Sequence, residues 1–373
     1  MRIEDIALTM VRGLGTKGVV HLLECFGSAE QVYRQSEENL CERAELRVDV
    51  ARNLLSRESF ADAEREMEYC RRHGIEAIAS TDALYPQIMR ETDDYPHVIY
   101  AMGDVSALSK RTVTFVGTRR MTPNGERVCN MLIGGLAERL PDVCIVSGLA
   151  YGIDGAAHRA AIANGLPTVA VVANPLPDVT PTAHTQLARD IMAHGGVVVT
   201  ELPSRTKQNG ALFISRNRIM AALGYGTVVV ESAASGGSLA TAKFADGYNR
   251  SVMAVPGRIT DPFSAGANLL IRNRKAQAIL SADDILTELM WDMELPPETF
   301  SAARDSSVVE SLLPAERDIL RCFGNADTLS SAELAEKTGL SFSELSSHLM
   351  VMEISGAVRQ LPGNMFEKLI EIL

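Results

Sequence analysis

The sequence lacks several features that would fix its chemistry at once. None of its 373 residues belongs to an apolar run long enough to span a bilayer, and Met1 to Met10 lacks the basic-then-apolar form of a signal peptide. We therefore expect a cytoplasmic protein with no membrane contact. The six cysteines (Cys25, Cys41, Cys70, Cys129, Cys144, Cys322) form no CxxC pair, which points to reduced thiols and no metal. There is no GxxxxGKS/T, no HExxH and no Ser-His-Asp spacing, so a motor or a hydrolase finds little support and no catalytic residue is assigned. Asp154 and His158, four apart on a predicted helix, could form an acid–base pair, but a capping Asp and a packed His explain them equally well.

Positive charge is also scarce, with 36 Lys+Arg against 47 Asp+Glu and a net charge of −11. The deficit is uneven. Between Arg111 and Leu280 there are 17 basic and 10 acidic residues, a surplus of +7, while the rest of the chain carries 19 against 37, or −18. A basic centre between acidic flanks suits a polyanion, because steering follows the local field; pairing between centre and flanks is the other use of such a surplus.

What the centre contains is one arrangement repeated three times. The apolar run Val143 to Val146 breaks into Ser147-Gly148 and the loop to Gly152, and an Ala-rich helix follows from Gly155 to Ala163. Val113 to Val116 runs into Gly117-Thr118-Arg119-Arg120 and a helix opening near Thr122-Pro123. Thr227 to Val230 runs into Glu231 and then Ser235-Gly236-Gly237-Ser238, followed by a helix to Asn249. Strand, glycine loop and helix point backbone N–H groups at an anion, and parallel strands end on one side, so the three loops are expected to share one phosphate-binding crevice.

Around this centre the chain divides. Residues 1–75 read as a helical head, in which Gly13-Leu14-Gly15 with Lys17 resembles a helix-hairpin-helix turn. With 11 basic and 14 acidic residues in that stretch, we favour a plain αα-hairpin that needs glycine for its geometry. Residues 76–295 read as an extended Rossmann-like core of the α/β class. Its strands are expected at Thr112–Val116, Cys144–Ser147, Thr168–Val172, Val197–Thr200, Thr227–Glu231 and Ser251–Val255, apolar on both faces as in a doubly wound sheet. Residues 296–310 read as a linker, and 311–373 as three helices and a hairpin, a winged helix. That tail has 5 basic and 9 acidic residues, and its reading helix, Phe342 to Met350, offers no Arg or Lys to a groove, so protein contact is expected there instead of duplex reading.

Arg216-Asn217-Arg218 is placed at a helix start, where two guanidiniums oppose the helix dipole unless an anion sits there. Arg119 and Arg120 follow the first strand in the same way. Salt bridges to Glu201 or Glu231 would also account for them; the repetition in two loops favours an anion. Phe213 suits either the core or a platform for a base.

These residues resemble the DNA-processing protein A family (DprA, also called Smf). The likeness rests on Val116 to Arg119, on Ser147 to Asp154 with Ala157-His158, and on Phe213 with Arg216 to Arg218. It also takes in Ser235 to Ser238 with Thr241-Ala242, and Val255-Pro256-Gly257. It implies an extended Rossmann core that binds single-stranded DNA without sequence preference, and a homodimer that loads the RecA recombinase during natural transformation, with no cofactor. DNA contacts are then expected from Gly117, Arg119, Arg120, Ser147, Gly148, Gly152, Phe213, Arg216, Asn217, Arg218, Ser235, Gly236 and Gly237. Lys207 is the nearest candidate for the lysine that the family carries just ahead of the Phe. Ala173 to Pro181 departs from the family's glycine turn and Tyr-Pro after the third core strand. The competing class is a Rossmann-like enzyme acting on a nucleotide's phosphate or glycosidic bond, since glycine loops serve both ligands. Arginines on two loops, with no ribose-reading acid after a GxGxxG, favour the strand binder.

Overall fold

Amphipathic spacing in the first 75 residues produces six short helices: α1 (Ile3–Thr9), α2 (Thr16–Phe26), α3 (Ala29–Val32), α4 (Glu37–Arg43), α5 (Val48–Leu55) and α6 (Ser59–His73). The computed structural model describes residues 1–292, 312–324, 326, 328–355, 357–361 and 364–369. The linker expected at 296–310 lies outside the described residues. Ser28 and Ser36 cap α3 and α4 by accepting the N–H groups of Gln31 and Asn39. Ile6, Leu22, Leu40 and Leu54 are fully buried between the helices, each contributing about 1.5–3 kcal/mol of transfer free energy. Their cluster continues into Val98, Tyr100 and Val172 of the neighbouring sheet, and head and sheet form one unit, Met1–Met293.

The sheet contains β1 (Glu76–Ala79), β2 (Val98–Gly103), β3 (Thr112–Val116), β4 (Cys144–Ser147), β5 (Thr168–Val171), β6 (Val197–Thr200), β7 (Gly226–Val229), β8 (Ser251–Ala254) and β9 (Gln277–Ala278). Their order is β1-β2-β6-β5-β4-β3-β7-β8-β9. Strands β3 to β9 are parallel to one another, whereas β2 pairs antiparallel with β6 and with β1. Every residue of β3 to β7 is buried, because helices cover both faces. These are α7 (Pro123–Arg139), α8 (Ile153–Ala163), α9 (Thr185–Ala193), α10 (Ala211–Leu223), α11 (Gly237–Gly247), α12 (Ala265–Arg272) and α13 (Ala282–Glu288). From β3 the chain builds outward through β4, β5 and β6 on one side, then returns to build β7, β8 and β9 on the other. The C-terminal ends of β3 and β7 are therefore neighbours at a switch point, where such sheets hold ligands.

One element starts earlier than expected. Helix α10 begins at Ala211, five residues ahead of Arg216, because the Asn209 side chain accepts the Ala211 N–H at 2.9 Å. The polar Gln208-Asn209-Gly210 stretch is thus the entry to a helix, and Arg216 to Arg218 sit in its second turn and not at its start.

The second unit, Glu294–Leu373, has α14 (Pro314–Arg321), β10 (Thr328–Ser330), α15 (Ser331–Thr338), α16 (Phe342–Ile354), β11 (Val358–Leu361) and β12 (Met365–Lys368). Capping boxes Ser330/Glu333 and Ser341/Glu344 start α15 and α16. Ile319, Phe323, Leu334, Leu345 and Met352 form its core, and the strands pair in the order β10-β12-β11. This is a winged helix, with a short β10 that the sequence reading did not include. Among the described residues no helix is long and apolar enough to cross a membrane.

Candidate functional site

A cleft of about 320 Å³ opens where β3 and β7 end. Gly117, Thr118 and Arg119 come from the first loop, Phe213, Arg216 and Asn217 from α10, and Ser235, Gly236 and Gly237 from the loop into α11. No side chain caps α11, so the N–H groups of its first turn stand at the cleft wall without an intrahelical acceptor. The Asn217 Nδ2 donates to the Gly237 carbonyl at 3.2 Å and ties α10 to that loop.

The first loop owes its shape to Glu231, at the end of the neighbouring strand. The Glu231 carbonyl accepts the Thr118 N–H at 2.7 Å, and its carboxylate accepts the Thr122 N–H at 2.9 Å and the Thr122 hydroxyl at 2.5 Å. This carboxylate sits over the start of α7, where the helix dipole favours it. Being engaged there, it does not neutralise Arg119 or Arg120. Both arginines are exposed, and neither forms an ion pair among the described residues. Arg119 lies over the half-buried Phe213 ring at 5.4 Å, and Arg120 over the Phe263 ring at 6.0 Å.

The other predicted residues serve the walls of the cleft or lie away from it. Arg216 is buried, and its Nη1 donates to the carbonyls of Gly148 (2.6 Å) and Val171 (2.7 Å), fastening α10 to β4 and β5. Burial holds its guanidinium below the ordinary range, and Asp154 opposes that shift. Burial likewise raises the Asp154 carboxyl, with Arg216 opposing. Gly148 is required here, since a Cβ would collide with the Arg216 guanidinium. Gly152 has φ +76° and backs onto the Thr118 carbonyl, so it braces the first loop from behind. Ser147, fully buried, donates to the Phe115 carbonyl at 2.7 Å and is unavailable to a ligand. Arg218 points away from the cleft: its Nη1 donates to Asp94 O at 2.6 Å and its Nη2 pairs with Glu201. Here the salt bridge, not an anion, accounts for the arginine. Lys207 is exposed on the segment before α10 and does not line the cleft.

Asp154 and His158 are not joined. The Thr168 hydroxyl donates to Ile145 O at 2.6 Å, so His158 Nδ1 must donate to that hydroxyl (2.7 Å); the ring is a packed core group. The sequence reading missed Thr118, Ile214, Ala233 and Thr241 in the lining, and it missed Phe263 under Arg120. Only the proximity of Phe263 to the Val255-Pro256-Gly257 motif hinted at it.

A Rossmann-like sheet with an arginine- and glycine-lined cleft at its switch point, carried in one chain with a winged helix, defines the class. The family described as DNA recombination-mediator protein A matches residues 76–290, and the DprA winged helix domain matches residues 301–364. Protein Smf of Escherichia coli is 34% identical over 290 residues, 77% of this chain and 75% of that protein. DNA processing protein DprA of Bacillus subtilis is 40% identical over 220 residues, 59% of this chain and 73% of that protein. The X-ray structure of DprA from Streptococcus pneumoniae superposes with a TM-score of 0.67 at 29% identity, covering 77% of this chain and 98% of that one. The structure of Helicobacter pylori DprA, solved for its single-stranded DNA binding mode, gives 0.53 at 25% identity, covering 59% and 97%. The chain belongs to the DprA/Smf family.

Proposed function

We propose that this protein binds single-stranded DNA at the switch-point cleft without sequence preference and hands it to a RecA recombinase during DNA uptake and recombination. It acts in the cytoplasm as a homodimer, without catalysis or cofactor, and its winged helix contacts protein. The observation that carries the DNA reading is Arg119: exposed, in no salt bridge among the described residues, with only the buried Asp154 carboxyl within reach of its charge, and lying over Phe213 beside the uncapped α11. A cation next to an aromatic face suits a backbone phosphate and a stacked base, and every base has such a face, so no sequence is preferred. Gly236 and Gly237 let the strand approach the backbone, while Gly117 lets the first loop pack against Ile153 and the Glu231 carbonyl. Arg120 and Lys207, also exposed, extend the positive track. The recombinase partner rests on the family's description as a recombination mediator.

The test is a titration of wild type and Arg119→Ala with a mononucleotide and with a longer oligonucleotide. Removing one charge-assisted phosphate contact, about 1.5–3 kcal/mol, should weaken oligonucleotide binding by about tenfold to a hundredfold at low salt. Wild-type log K should fall with log salt by about 0.7 per phosphate contact. Unchanged oligonucleotide affinity in Arg119→Ala would remove Arg119 from the site. Mononucleotide binding as tight as oligonucleotide binding, with turnover, would make the cleft that of a nucleotide enzyme.

A further inference from the structure

We infer that a second nucleotide subsite lies beside the cleft, on the loop from Pro256 to Phe263, and that one strand crosses both. This rests on the single-strand reading above and adds to it a ligand path and a site. Arg119 and Arg120 are adjacent in sequence but diverge, one over Phe213 and the other over Phe263. Phe263 is stitched to the cleft wall: its carbonyl accepts the Ser232 N–H at 2.7 Å, and the Ser232 carbonyl accepts the Gly266 N–H at 2.8 Å. Ser232 itself lines the cleft. The two aromatic platforms therefore flank one mouth.

The loop is held in one shape. The Asn268 side chain accepts the Gly257 N–H at 3.1 Å and donates to the Gly257 carbonyl at 3.0 Å. The Asp261 carboxylate accepts the Phe263 N–H at 2.9 Å, and the Asp261 N–H closes the turn on Arg258 O at 3.0 Å. At the tip of this fixed loop Ile259 is 95% exposed, beside Arg258, which is exposed and without an ion pair among the described residues. A single exposed isoleucine is ordinary on a protein surface. Ile259 with two unneutralised arginines and a half-buried phenyl ring is not. An apolar protein partner would have to desolvate both guanidiniums, whereas an unpaired nucleotide offers a phosphate to Arg258 or Arg120 and an apolar base face to Ile259 and Phe263.

The experiment uses the full chain and oligothymidylate. Phe213→Trp and Phe263→Trp place one reporter in each subsite, over a constant background from Trp291, which is buried against Tyr225. A long oligothymidylate should quench both reporters, because a base stacks on each ring. The double variant Arg258→Ala/Ile259→Ser, at exposed positions that the fold does not need, should bind the long strand about tenfold more weakly and a dinucleotide as wild type does. Quenching at Phe213→Trp alone, with wild-type affinity in the double variant, would overturn the second subsite and leave the cleft reading standing. Quenching at neither position would overturn the cleft reading itself.

Discussion

The loop after β3 and the helix α10 each present two arginines, in opposite surroundings. Arg119 and Arg120 are exposed and lie against aromatic rings without a salt bridge among the described residues, while Arg216 and Arg218 are buried and held by carbonyls and a carboxylate, the Arg216 Nε alone lacking a partner. The difference lies with the acids as much as with the arginines. Glu201 turns inward to Arg218, while Glu231 turns to Thr122 and leaves the loop arginines unneutralised. Within α10, residues two apart point about 200° apart around the axis, so Arg216 reaches the cleft floor and Arg218 cannot. An arginine is open to a ligand when no group of its own chain reaches it first.

The largest expected effect would break this comparison. Arg216→Ala takes from the buried Asp154 its main cationic neighbour and from two carbonyls the Nη1 donor, and Arg218→Ala strands Glu201 without its ion pair. Removing one partner of a buried charge pair costs about 3–5 kcal/mol, so both variants should lose stability on that scale in urea unfolding. Arg119→Ala, at an exposed site, should stay within about 0.5 kcal/mol of wild type. Were Arg216→Ala to keep its stability and lose only oligonucleotide affinity, α10 would be a ligand surface and the contrast would vanish.

The outline of the core was legible because β3 to β7 are buried on both faces, which leaves short Val-rich runs, two of which, β3 and β4, end directly in a glycine. The direction of the arginines was not. It depends on where α10 starts, and Asn209 starts it in a stretch whose polarity resembles a loop. Ser147 was misplaced for a related reason: it ends a strand as well as opening a loop, and its hydroxyl goes to Phe115 in the sheet. Strands β1 and β9 are short and partly exposed, so they carry no burial pattern to read. The Phe263 platform depends on a contact between loops far apart in the chain, which local periodicity does not encode.

A second effect sharpens the contrast inside the buried layer. Burial, with the nearby His184, Arg159 and Arg216, pushes the His158 imidazole from the ordinary 6.5 down to about 3. A depressed folded value means that the neutral ring stabilises the fold above pH 6.5, and that this contribution is lost as pH falls toward 3. By pH 5 the loss should reach about 2 kcal/mol. His158→Gln, which keeps a donor for Thr168 without a titrating group, should narrow the gap between urea stabilities at pH 7 and pH 5 by that amount. An unchanged gap would assign the acid sensitivity to another group.

The helical head enters the comparison through Glu66. This buried carboxylate accepts the Ser204 N–H at 2.8 Å and the Ser204 hydroxyl at 2.5 Å, fixing the segment that carries Lys207 into α10. Glu66→Ala should weaken oligonucleotide binding by about fivefold, about 1 kcal/mol, which is less than a lost phosphate contact because Glu66 acts only through the position of the segment. Lys207→Ala should then matter less in that background than alone, because coupled residues are not additive. Full additivity in an anisotropy titration would show that Glu66 does not act through Lys207.

The smallest expected effect comes from removing the winged helix, and it tests whether the cleft arginines suffice. The salt-dependent part of phosphate binding comes from cations, and the commonest bidentate base readers in a groove are Arg, Lys, Asn and Gln. On α16 the exposed positions are Phe342, Met350 and Val351 among serines and glutamates, and residues 311–373 carry 5 basic against 9 acidic side chains. A polyanion gains nothing from such a surface. A chain ending at residue 293, the limit of the first unit, should therefore bind oligothymidylate within about threefold of the full chain, with a salt slope no shallower than that of the full chain. The small change should be toward tighter binding, since a net negative unit repels the strand at low salt and is screened at high salt. Truncation that weakened binding tenfold and reduced the salt slope would place DNA contacts in the tail. The loop arginines would then be only part of the site.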